Sequence, residues 1–332
     1  MQLIVLGLNH KTAPVEIRER FNFSQDRTVR VLRRLRNNDN LNEAVLLSTC
    51  NRTELYMVLE DPAAGLHFIR TLLRHLAGEQ YKPDYFYNLT GINCVRHLFK
   101  VASSLDSLII GEGQILSQIK NAYHLSRSCG MTDTLFNTLF NRAIAVGKRV
   151  RTETKIAYSS VSVSSAAVDL AIDVVGDLTK ANILVLGAGR MSELTARHLI
   201  DKGAKTIFVS NRNLSHAQEL AEKFNGTAIP YNEFMHQAIT SDIIITSTGA
   251  PHYVITEQGV RDIIPKRSGK PLILVDIAVP RDVDPLVGDI EGVTLYNIDD
   301  LEGVVDMNKN FRSSEAKVAE AIIDEEITAL KE

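Results

Sequence analysis

The sequence predicts a multidomain α/β protein, and three observations support this prediction. Its 332 residues exceed what one hydrophobic core usually serves. Up to about residue 90, apolar runs and amphipathic stretches follow the order β-α-β-β-α-β. From Ile183 onward, apolar strands alternate with helices at the spacing of parallel βαβ units. We therefore expect an α+β domain first and a parallel α/β domain after it.

The first part of the chain has the element order of a ferredoxin-like α+β sandwich. Bounded apolar runs predict its strands, and apolar spacings of three and four residues predict its helices. Ser24 is a suitable N-cap for the first helix. The predicted strands are residues 2–7, 44–48, 55–59 and 85–89, and the predicted helices are residues 24–36 and 63–76.

Residues 91–154 are predicted to form a mostly helical extension of this domain. Residues 158–165, rich in Ser and Val, predict a segment that crosses between domains and ends in the N-cap of a helix through Val175. A charged helix is predicted from Asp300 to Glu332. Its apolar positions are Val304, Val305, Met307, Phe311, Val318, Ile322 and Ile323. The predicted domains are residues 1–156, 157–300 and 301–332.

A glycine-containing loop follows the first strand of the predicted parallel domain. Strands are predicted at residues 183–186, 206–210, 242–247 and 272–276, and helices at 191–202 and 215–224. Gly187 permits a tight turn and Gly189 lets the backbone approach a pyrophosphate, which the following helix N-terminus binds. This context predicts a Rossmann-type dinucleotide site, although Ser192 replaces the usual third glycine. The loop residues are Gly187, Ala188, Gly189, Arg190, Met191 and Ser192.

The residues after the second parallel strand indicate which cofactor binds. Enzymes that use NAD usually place Asp or Glu here for the ribose 2′-hydroxyl. This sequence has Ser210-Asn211-Arg212, and Arg212 can neutralise a 2′-phosphate. We therefore expect NADPH, with Asn211 and Arg212 at its binding site, whereas the alternative for Arg212 is a solvated loop charge. Residues 246–251 are expected near the nicotinamide ribose.

Composition and charge are those of an ordinary globular protein, with 45% apolar residues, 23% charged residues and a net charge of −3. This charge does not indicate a dedicated nucleic-acid binder, because such proteins are usually basic. The start of the chain predicts a strand rather than a signal peptide, and no apolar run approaches the roughly 20 residues that span a bilayer. Three cysteines without a CxxC pair suit a reducing compartment, so we expect a cytoplasmic protein.

Cys50 is the candidate nucleophile, in Ser48-Thr49-Cys50-Asn51-Arg52-Thr53-Glu54, a predicted loop between two strands. A free thiol is only slightly ionised at neutral pH, and a cation such as the nearby Arg52 lowers its pKa. The alternative is a buried structural cysteine, which is the commoner fate. Cys94 and Cys129 are predicted to pack between helices. Zinc-site spacing is lacking, so no metal is predicted.

Two basic clusters are candidates for contacts with RNA phosphates. One lies on the first predicted helix and the other near the end of the helical extension. The alternative for each cluster is a solvated charged face. The first contains Arg27, Arg30, Arg33, Arg34 and Arg36, and the second contains Lys148, Arg149, Arg151 and Lys155.

Three stretches together resemble the glutamyl-tRNA reductases. They are residues 7–15 (GLNHKTAPV), 48–54 (STCNRTE) and 104–115 (SLDSLIIGEGQI), and the cofactor loop and residues 160–167 also fit. The likeness runs in order over nearly the whole chain, and generic dehydrogenases lack these motifs. It implies NADPH-dependent reduction of glutamyl-tRNA(Glu) to glutamate-1-semialdehyde through a Cys50 thioester. This reaction is the first step of 5-aminolevulinate and porphyrin biosynthesis.

The resemblance also implies roles for individual residues. Cys50 is the nucleophile, and His97 is expected to act as a general base or to position the substrate. Arg52 is expected to hold the substrate carboxylate, with Thr49 and Asn51 supplying hydrogen bonds beside the thiol. Gly113 stands where many relatives have proline, so we expect a looser loop there. Other substrate-contact positions of the family are matched by Ser107, Glu112, Gly113, Gln114 and Gln118.

The family likeness further implies an assembly. Relatives form V-shaped homodimers from a catalytic domain, an NADPH domain and a dimerisation domain on a long spinal helix. This chain stops at Glu332, so we expect the dimerisation domain to be short or absent, with any homodimer formed through the C-terminal helix. The family also suggests that the semialdehyde passes to an aminomutase.

Two other functions compete with this interpretation. A small-molecule NADP-dependent dehydrogenase, similar to shikimate dehydrogenase, would account for the second half of the chain. It would not explain the cysteine loop or residues 104–114. An NADP-binding regulatory or RNA-binding module without chemistry is the other alternative. Only the reductase interpretation predicts a glutamyl adduct on Cys50.

Overall fold

The computed structural model describes residues 1–77, 82–108, 110–156, 163–301 and 309–330. The chain divides into two compact units. The first comprises Met1–Ser160 and Asn308–Glu332, and the second comprises Val161–Met307. The three-domain division stated above stays a prediction. No helix in the described part of the chain is long and apolar enough to cross a membrane.

The first unit contains the predicted ferredoxin-like sandwich. Its four strands form an antiparallel sheet in the order β2-β3-β1-β4. Ser24 caps the first long helix as predicted, because its hydroxyl accepts a hydrogen bond from Arg27 N–H. The elements are β1 (Gln2–Asn9), α1 (Val15–Arg18), α2 (Gln25–Leu35), β2 (Leu41–Ser48), β3 (Arg52–Leu59), α3 (Pro62–Ala77) and β4 (Tyr87–Thr90).

This sheet has an apolar core on each face, because successive strand residues point to opposite sides. Ile4 and Leu46 belong to the core that includes residues of α2 and α3. Val5 and Val45 belong to the other core, beneath the helical extension. That extension consists of α4 (Gly91–Ala102), α5 (Gln114–Ser128) and α6 (Thr134–Glu153).

The last described helix is Lys309–Thr328, which is α12 in our numbering. It packs in the first unit, where Ile322 and Ile323 are buried in the same core as the helical extension. Arg149 of α6 pairs with Glu325 and Glu326 at 2.7 and 3.0 Å. Helix α12 lies within the predicted range, and the predicted apolar positions Val304, Val305 and Met307 lie outside the described residues.

The second unit is a six-stranded parallel sheet in the order β10-β9-β8-β5-β6-β7. The helix through Val175 begins at Val163, before the predicted N-cap. Strands β7 and β10 and helices α10 and α11 were not predicted, because their apolar patterns are short. The elements are α7 (Val163–Val175), β5 (Asn182–Leu186), α8 (Arg190–Asp201), β6 (Thr206–Ser210), α9 (Leu214–Lys223), β7 (Thr227–Ile229), α10 (Phe234–Gln237), β8 (Ile243–Thr246), α11 (Glu257–Ile263), β9 (Leu272–Asp276) and β10 (Val293–Asn297).

Candidate active site

The candidate nucleophile lies at the tip of a β-hairpin. Strands β2 and β3 are an antiparallel pair, and residues 49–51 form their connection. The Thr49 hydroxyl accepts hydrogen bonds from the N–H groups of Asn51 and Arg52, at 3.2 and 3.1 Å. Cys50 is half-buried and forms no disulfide. The predicted position of the thiol, on a loop at the end of a strand, is confirmed.

Neighbouring groups hold this hairpin tip in place. Arg18 Nε donates a hydrogen bond to the Cys50 carbonyl at 3.3 Å, and His10 N–H donates to the Asn51 carbonyl at 3.0 Å. Asn51 is buried, and its Oδ1 has no hydrogen-bond partner among the described residues. A buried acceptor without a partner is costly. Asn51 is therefore a candidate to bind a substrate N–H group.

Burial dominates the acidity of the thiol. Burial, followed by the charge of Glu112, raises the pKa of Cys50 to about 12, whereas Arg18 acts in the opposite direction. The structure corrects the prediction that Arg52 is the activating cation, because the Arg52 guanidinium turns to Glu54 and Asp106 instead. In this conformation the thiol is protonated at neutral pH.

Replacing Glu112 with glutamine is expected to lower the pKa of Cys50, because a negative charge that favours the protonated thiol is removed. Alkylation of Cys50 by iodoacetamide at pH 8 should become about three- to tenfold faster. Mass spectrometry of the Cys50 peptide measures the rate. Glu60→Gln, at an exposed acid just after β3, is the control. An unaltered rate in Glu112→Gln would mean that burial alone sets the pKa.

A buried carboxylate organises the face of the sheet beside the hairpin. Arg52, Glu54 and Tyr56 alternate along β3, so their side chains share one face. Glu54 is fully buried. It accepts hydrogen bonds at 2.5 Å from Arg52 Nη1, Tyr56 Oη and Tyr87 Oη. His97 Nε2 lies 2.9 Å from the same carboxylate.

This network fixes the predicted catalytic histidine. Burial alone would raise the pKa of Glu54, but the Arg52 guanidinium and His97 hold it well below its ordinary value of 4.5. The ionised carboxylate therefore orients the His97 ring, whose Nδ1 lies 3.9 Å from Asp106 Oδ2. Its role towards the thiol stays a prediction. Glu54 itself was missed in the sequence, where the available signal was an acid inside an apolar strand.

The Arg52 guanidinium is paired with a carboxylate of the protein itself. Arg52 Nη1 and Nη2 each lie 3.3 Å from Asp106 Oδ2, and Nη2 also donates to the Asp106 carbonyl. Lys11 Nζ contacts the other oxygen of Asp106 at 2.5 Å. Arg52 is thus placed to bind a carboxylate, although in this structure the carboxylate belongs to Asp106. Its contact with a substrate carboxylate remains a prediction.

The remaining predicted substrate positions lie on the loop before α5 and on α5. Arg151 holds this loop by donating hydrogen bonds to the carbonyls of Glu112 and Gly113, at 2.9 and 3.0 Å. Burial raises the pKa of the Glu112 carboxyl. Gly113 has a φ of −68°, which is the value that proline fixes, so the backbone here would also accommodate proline. Ser107, Gln114 and Gln118 are half-buried.

The glycine loop of the second unit has the geometry of a dinucleotide site. Gly187 has a φ of +109°, and a Cβ there would lie 2.7 Å from the Ser247 carbonyl oxygen. No described atom lies within 4 Å of a Cβ built on Gly189, at the start of α8. Ser192, the departure from the glycine pattern, places its hydroxyl 2.7 Å from the Ser247 hydroxyl. The loop therefore leaves room for a pyrophosphate at the N-terminus of α8.

Two buried aspartates shape the carboxyl ends of the neighbouring strands. Asp276 accepts hydrogen bonds from the Thr246 hydroxyl and from the N–H groups of Asp282 and Val283, at 2.8 to 2.9 Å. Asp282 accepts from Thr248 N–H at 2.7 Å. Burial raises the pKa of Asp276 to about 7. Both residues were missed in the sequence, because the contacts that define them cross between strands.

Arg212 lies where the sequence predicts the 2′-phosphate contact. It is exposed, and its Nη2 lies 2.9 Å from His252 Nε2. Its guanidinium carbon lies 5.8 Å from the centre of the Tyr231 ring. Asn211 Nδ2 donates to the Asn213 carbonyl at 3.1 Å, which shapes the start of α9. An exposed guanidinium beside an aromatic ring and a histidine can bind a phosphate of a nucleotide.

Fold and glycine loop together define a class of protein, the oxidoreductases that bind a nicotinamide dinucleotide on a dehydrogenase-type domain. Two family models match the chain. Residues 6–154 match the N-terminal domain of glutamyl-tRNAGlu reductase, and residues 169–304 match shikimate/quinate 5-dehydrogenase. The second of these models, a dehydrogenase domain, supports NAD(P) binding by the second unit.

The relatives identify the family within this class. A glutamyl-tRNA reductase of Trichlorobacter lovleyi is 47% identical over 330 residues, which are 98% of this chain and 76% of the relative. One from Brevibacillus brevis is 45% identical, covering 99% and 73%. The solved glutamyl-tRNA reductase of Methanopyrus kandleri is 36% identical with a TM-score of 0.52, covering 99% and 79%. This chain belongs to the glutamyl-tRNA reductase family.

Proposed function

We propose that this protein reduces glutamyl-tRNA(Glu) to glutamate-1-semialdehyde, with release of the tRNA, through a thioester on Cys50. The observation that supports this most is the position of Cys50, a half-buried residue at the hairpin tip, between the Thr49 turn and the Asn51 side chain, whose Oδ1 has no partner among the described residues. The identity of the substrate is inferred from the family to which the chain belongs. A small-molecule dehydrogenase would not need this hairpin.

The first half of the reaction is acyl transfer to the protein. The Cys50 thiol gives up its proton as its sulfur attacks the ester carbonyl carbon, a C–S bond forms, and the C–O bond to the terminal ribose breaks. That proton ends on the ribose oxygen, which leaves as the hydroxyl. Asn51 Oδ1 accepts a hydrogen bond from the α-ammonium group of the glutamyl moiety. Arg52 binds its side-chain carboxylate, which takes the place of Asp106.

The second half of the reaction is reduction of the acyl group. When bound, NADPH supplies the hydride. Gly187, Ala188 and Gly189 would hold its pyrophosphate at the start of α8, and Arg190, Met191 and Ser192 form the first turn of that helix. The thiohemiacetal on Cys50 then collapses, which breaks the C–S bond and releases the aldehyde. Without the hydride donor, water hydrolyses the thioester, so a slow esterase activity is expected.

The proposed function is tested by mixing the protein with glutamyl-tRNA in the absence of NADPH. A glutamyl adduct should appear on the Cys50 peptide in mass spectrometry, because hydrolysis of the thioester is slow without a base that activates water. Adding NADPH should discharge the adduct as the semialdehyde. Uncharged tRNA is the control. A protein that turns over glutamyl-tRNA with no acylation of Cys50 under either condition would contradict the covalent scheme.

Specificity for NADPH is expected to depend on Arg212. Replacing Arg212 with aspartate should lower the preference for NADPH over NADH about 10- to 100-fold, because the charged contact to the 2′-phosphate is lost. The ratio of kcat/KM for the two cofactors measures this. Arg197→Asp, at an exposed arginine of α8, is the matched control. An unchanged ratio in Arg212→Asp would remove Arg212 from this role.

We infer that tRNA phosphates meet the basic cluster on α2 rather than the second cluster. In the second cluster, Arg149 pairs with Glu325 and Glu326, and Arg151 binds backbone carbonyls. On α2, Arg30, Arg33, Arg34 and Arg36 are exposed. A homodimer through the C-terminal helix and transfer of the product to an aminomutase remain proposals from the family.

A further inference from the structure

A polar groove runs along the free edge of the first sheet, and of the substrate positions named above only Gln118 lines it. Strand β2 is the terminal strand of the sheet, and α2 and α5 border its outer edge. The groove has a volume of about 600 Å³, which lies within the usual range for small-ligand pockets. It is lined by Phe23, Gln25, Thr28, Leu46, Ser48, Gln118, Asn121, Ala122, His124, Leu125 and Ser128.

One end of this groove lies near the hairpin tip that carries Cys50. Ser48 is two residues from Cys50, and the Phe23 N–H donates a hydrogen bond to the Ser48 hydroxyl at 2.9 Å, which places the start of α2 there. Gln118, in the second turn of α5, lines the groove together with Ser48, so the start of α5 lies at this end as well. Both helices therefore begin at the hairpin tip. The ribose alcohol that the acyl carbon releases when Cys50 is acylated must depart close to this end.

The other end of the groove lies where both helices finish. Ala44 N–H, early in β2, donates to the Met131 carbonyl at 2.8 Å, so α5 runs antiparallel to β2. Arg36, the C-cap of α2, has its guanidinium 3.5 Å from a Cβ built on Gly130. Arg36 follows Ser24 by 12 residues, which places it about 18 Å farther along the helix axis. This end of the groove therefore carries positive charge.

We propose that this groove binds the 3′-terminal adenosine of the tRNA, with Arg36 placed for a backbone phosphate of the nucleotides before it. This inference rests on the proposed function, because the ester carbonyl is joined directly to the ribose of that adenosine. Leu46, Ala122 and Leu125 offer an apolar surface to the base. His124 is exposed and can stack on the base. The side-chain amides of Gln25 and Asn121 are also exposed and can bind the hydrogen-bonding edge of the base.

The test compares two substrates in the full-length protein. One is glutamyl-tRNA, and the other is a small glutamyl α-thioester without a nucleoside. Asn121→Ala and His124→Ala are at exposed sites, and Ala122→Phe fills the groove. Each should lower kcat/KM for glutamyl-tRNA about 10- to 100-fold, because the two alanine variants lose a contact to the base and Ala122→Phe blocks its place. The loss should be confined to the substrate that carries the adenosine.

Ser117→Ala, at an exposed serine of α5 outside the groove, is the matched control. The trinucleotide CCA should inhibit the wild type competitively and the His124→Ala variant less. Equal losses on both substrates, or no loss on glutamyl-tRNA, would overturn the adenosine site, and the latter result would suit a groove for a protein partner. Failure of the proposed function itself would look different, because the wild type would then be inactive on both substrates.

Discussion

Replacing Cys50 with serine is expected to abolish both reduction of glutamyl-tRNA and the slow esterase activity, each by at least about a thousandfold. The reason is that the acyl group has no other described thiol at the hairpin tip to which it can be transferred, and a serine hydroxyl is a far weaker nucleophile. Single-turnover assays with and without NADPH measure the two activities.

The remaining cysteines provide the control for this prediction. Cys94 is fully buried in the core, and Cys129 is half-buried at the end of α5, as predicted for packing residues. Cys129→Ser should therefore keep near wild-type turnover. Binding of NADPH, followed by its fluorescence, should be the same in Cys50→Ser as in the wild type. Wild-type turnover in Cys50→Ser would contradict covalent catalysis.

Replacing Glu54 with glutamine is expected to lower the free energy of unfolding by about 3–5 kcal/mol at neutral pH, because the buried Arg52 guanidinium loses its ionised partner. Activity should fall as well, since His97 and Arg52 both take their orientation from this carboxylate. Urea denaturation measures the stability, and steady-state kinetics at a temperature where the variant is folded measures the activity.

The stability contribution of Glu54 is expected to depend on pH in a defined direction. The pKa of Glu54 is lower in the folded chain than its ordinary value of 4.5. Its contribution to stability is therefore present above about pH 4.5 and is lost as the pH falls through the folded-state pKa. The difference in free energy of unfolding between wild type and Glu54→Gln should therefore narrow as the pH falls below about 4.5. A difference that stays constant down to pH 3 would contradict an ionised Glu54.

A variant of a second buried acid, Glu43, is the control that distinguishes a loss of stability from a direct effect on the active site. Glu43 is also buried, but its carboxylate accepts hydrogen bonds from the N–H groups of Asp133 and Phe136 at the start of α6. Glu43→Gln should be destabilising without changing kcat/KM under folding conditions. If both variants lose activity in proportion to stability, then Glu54 has no separate effect on the site.

Local patterns were sufficient for the fold and for the position of the thiol. The alternating strands, the Ser24 cap and the glycine loop are set by neighbours within a few residues, so their prediction from sequence was confirmed. Short strands such as β7, with three residues, carry too little periodicity to be recognised. The start of α7 was misplaced, because a serine within a helix resembles an N-cap.

The partners of the charged groups depended on the tertiary structure. Arg52 and Cys50 are two residues apart, yet the side chain of Arg52 lies on the face of β3 towards His97 and pairs with Glu54 and Asp106. Sequence spacing could not reveal this, because residues 52, 97 and 106 are brought together only by packing. The sequence by itself determined which element carries the nucleophile and which loop suits a dinucleotide. Burial and contacts distant in the chain decided the charge state of each group, because desolvation and Coulomb interactions depend on position in space.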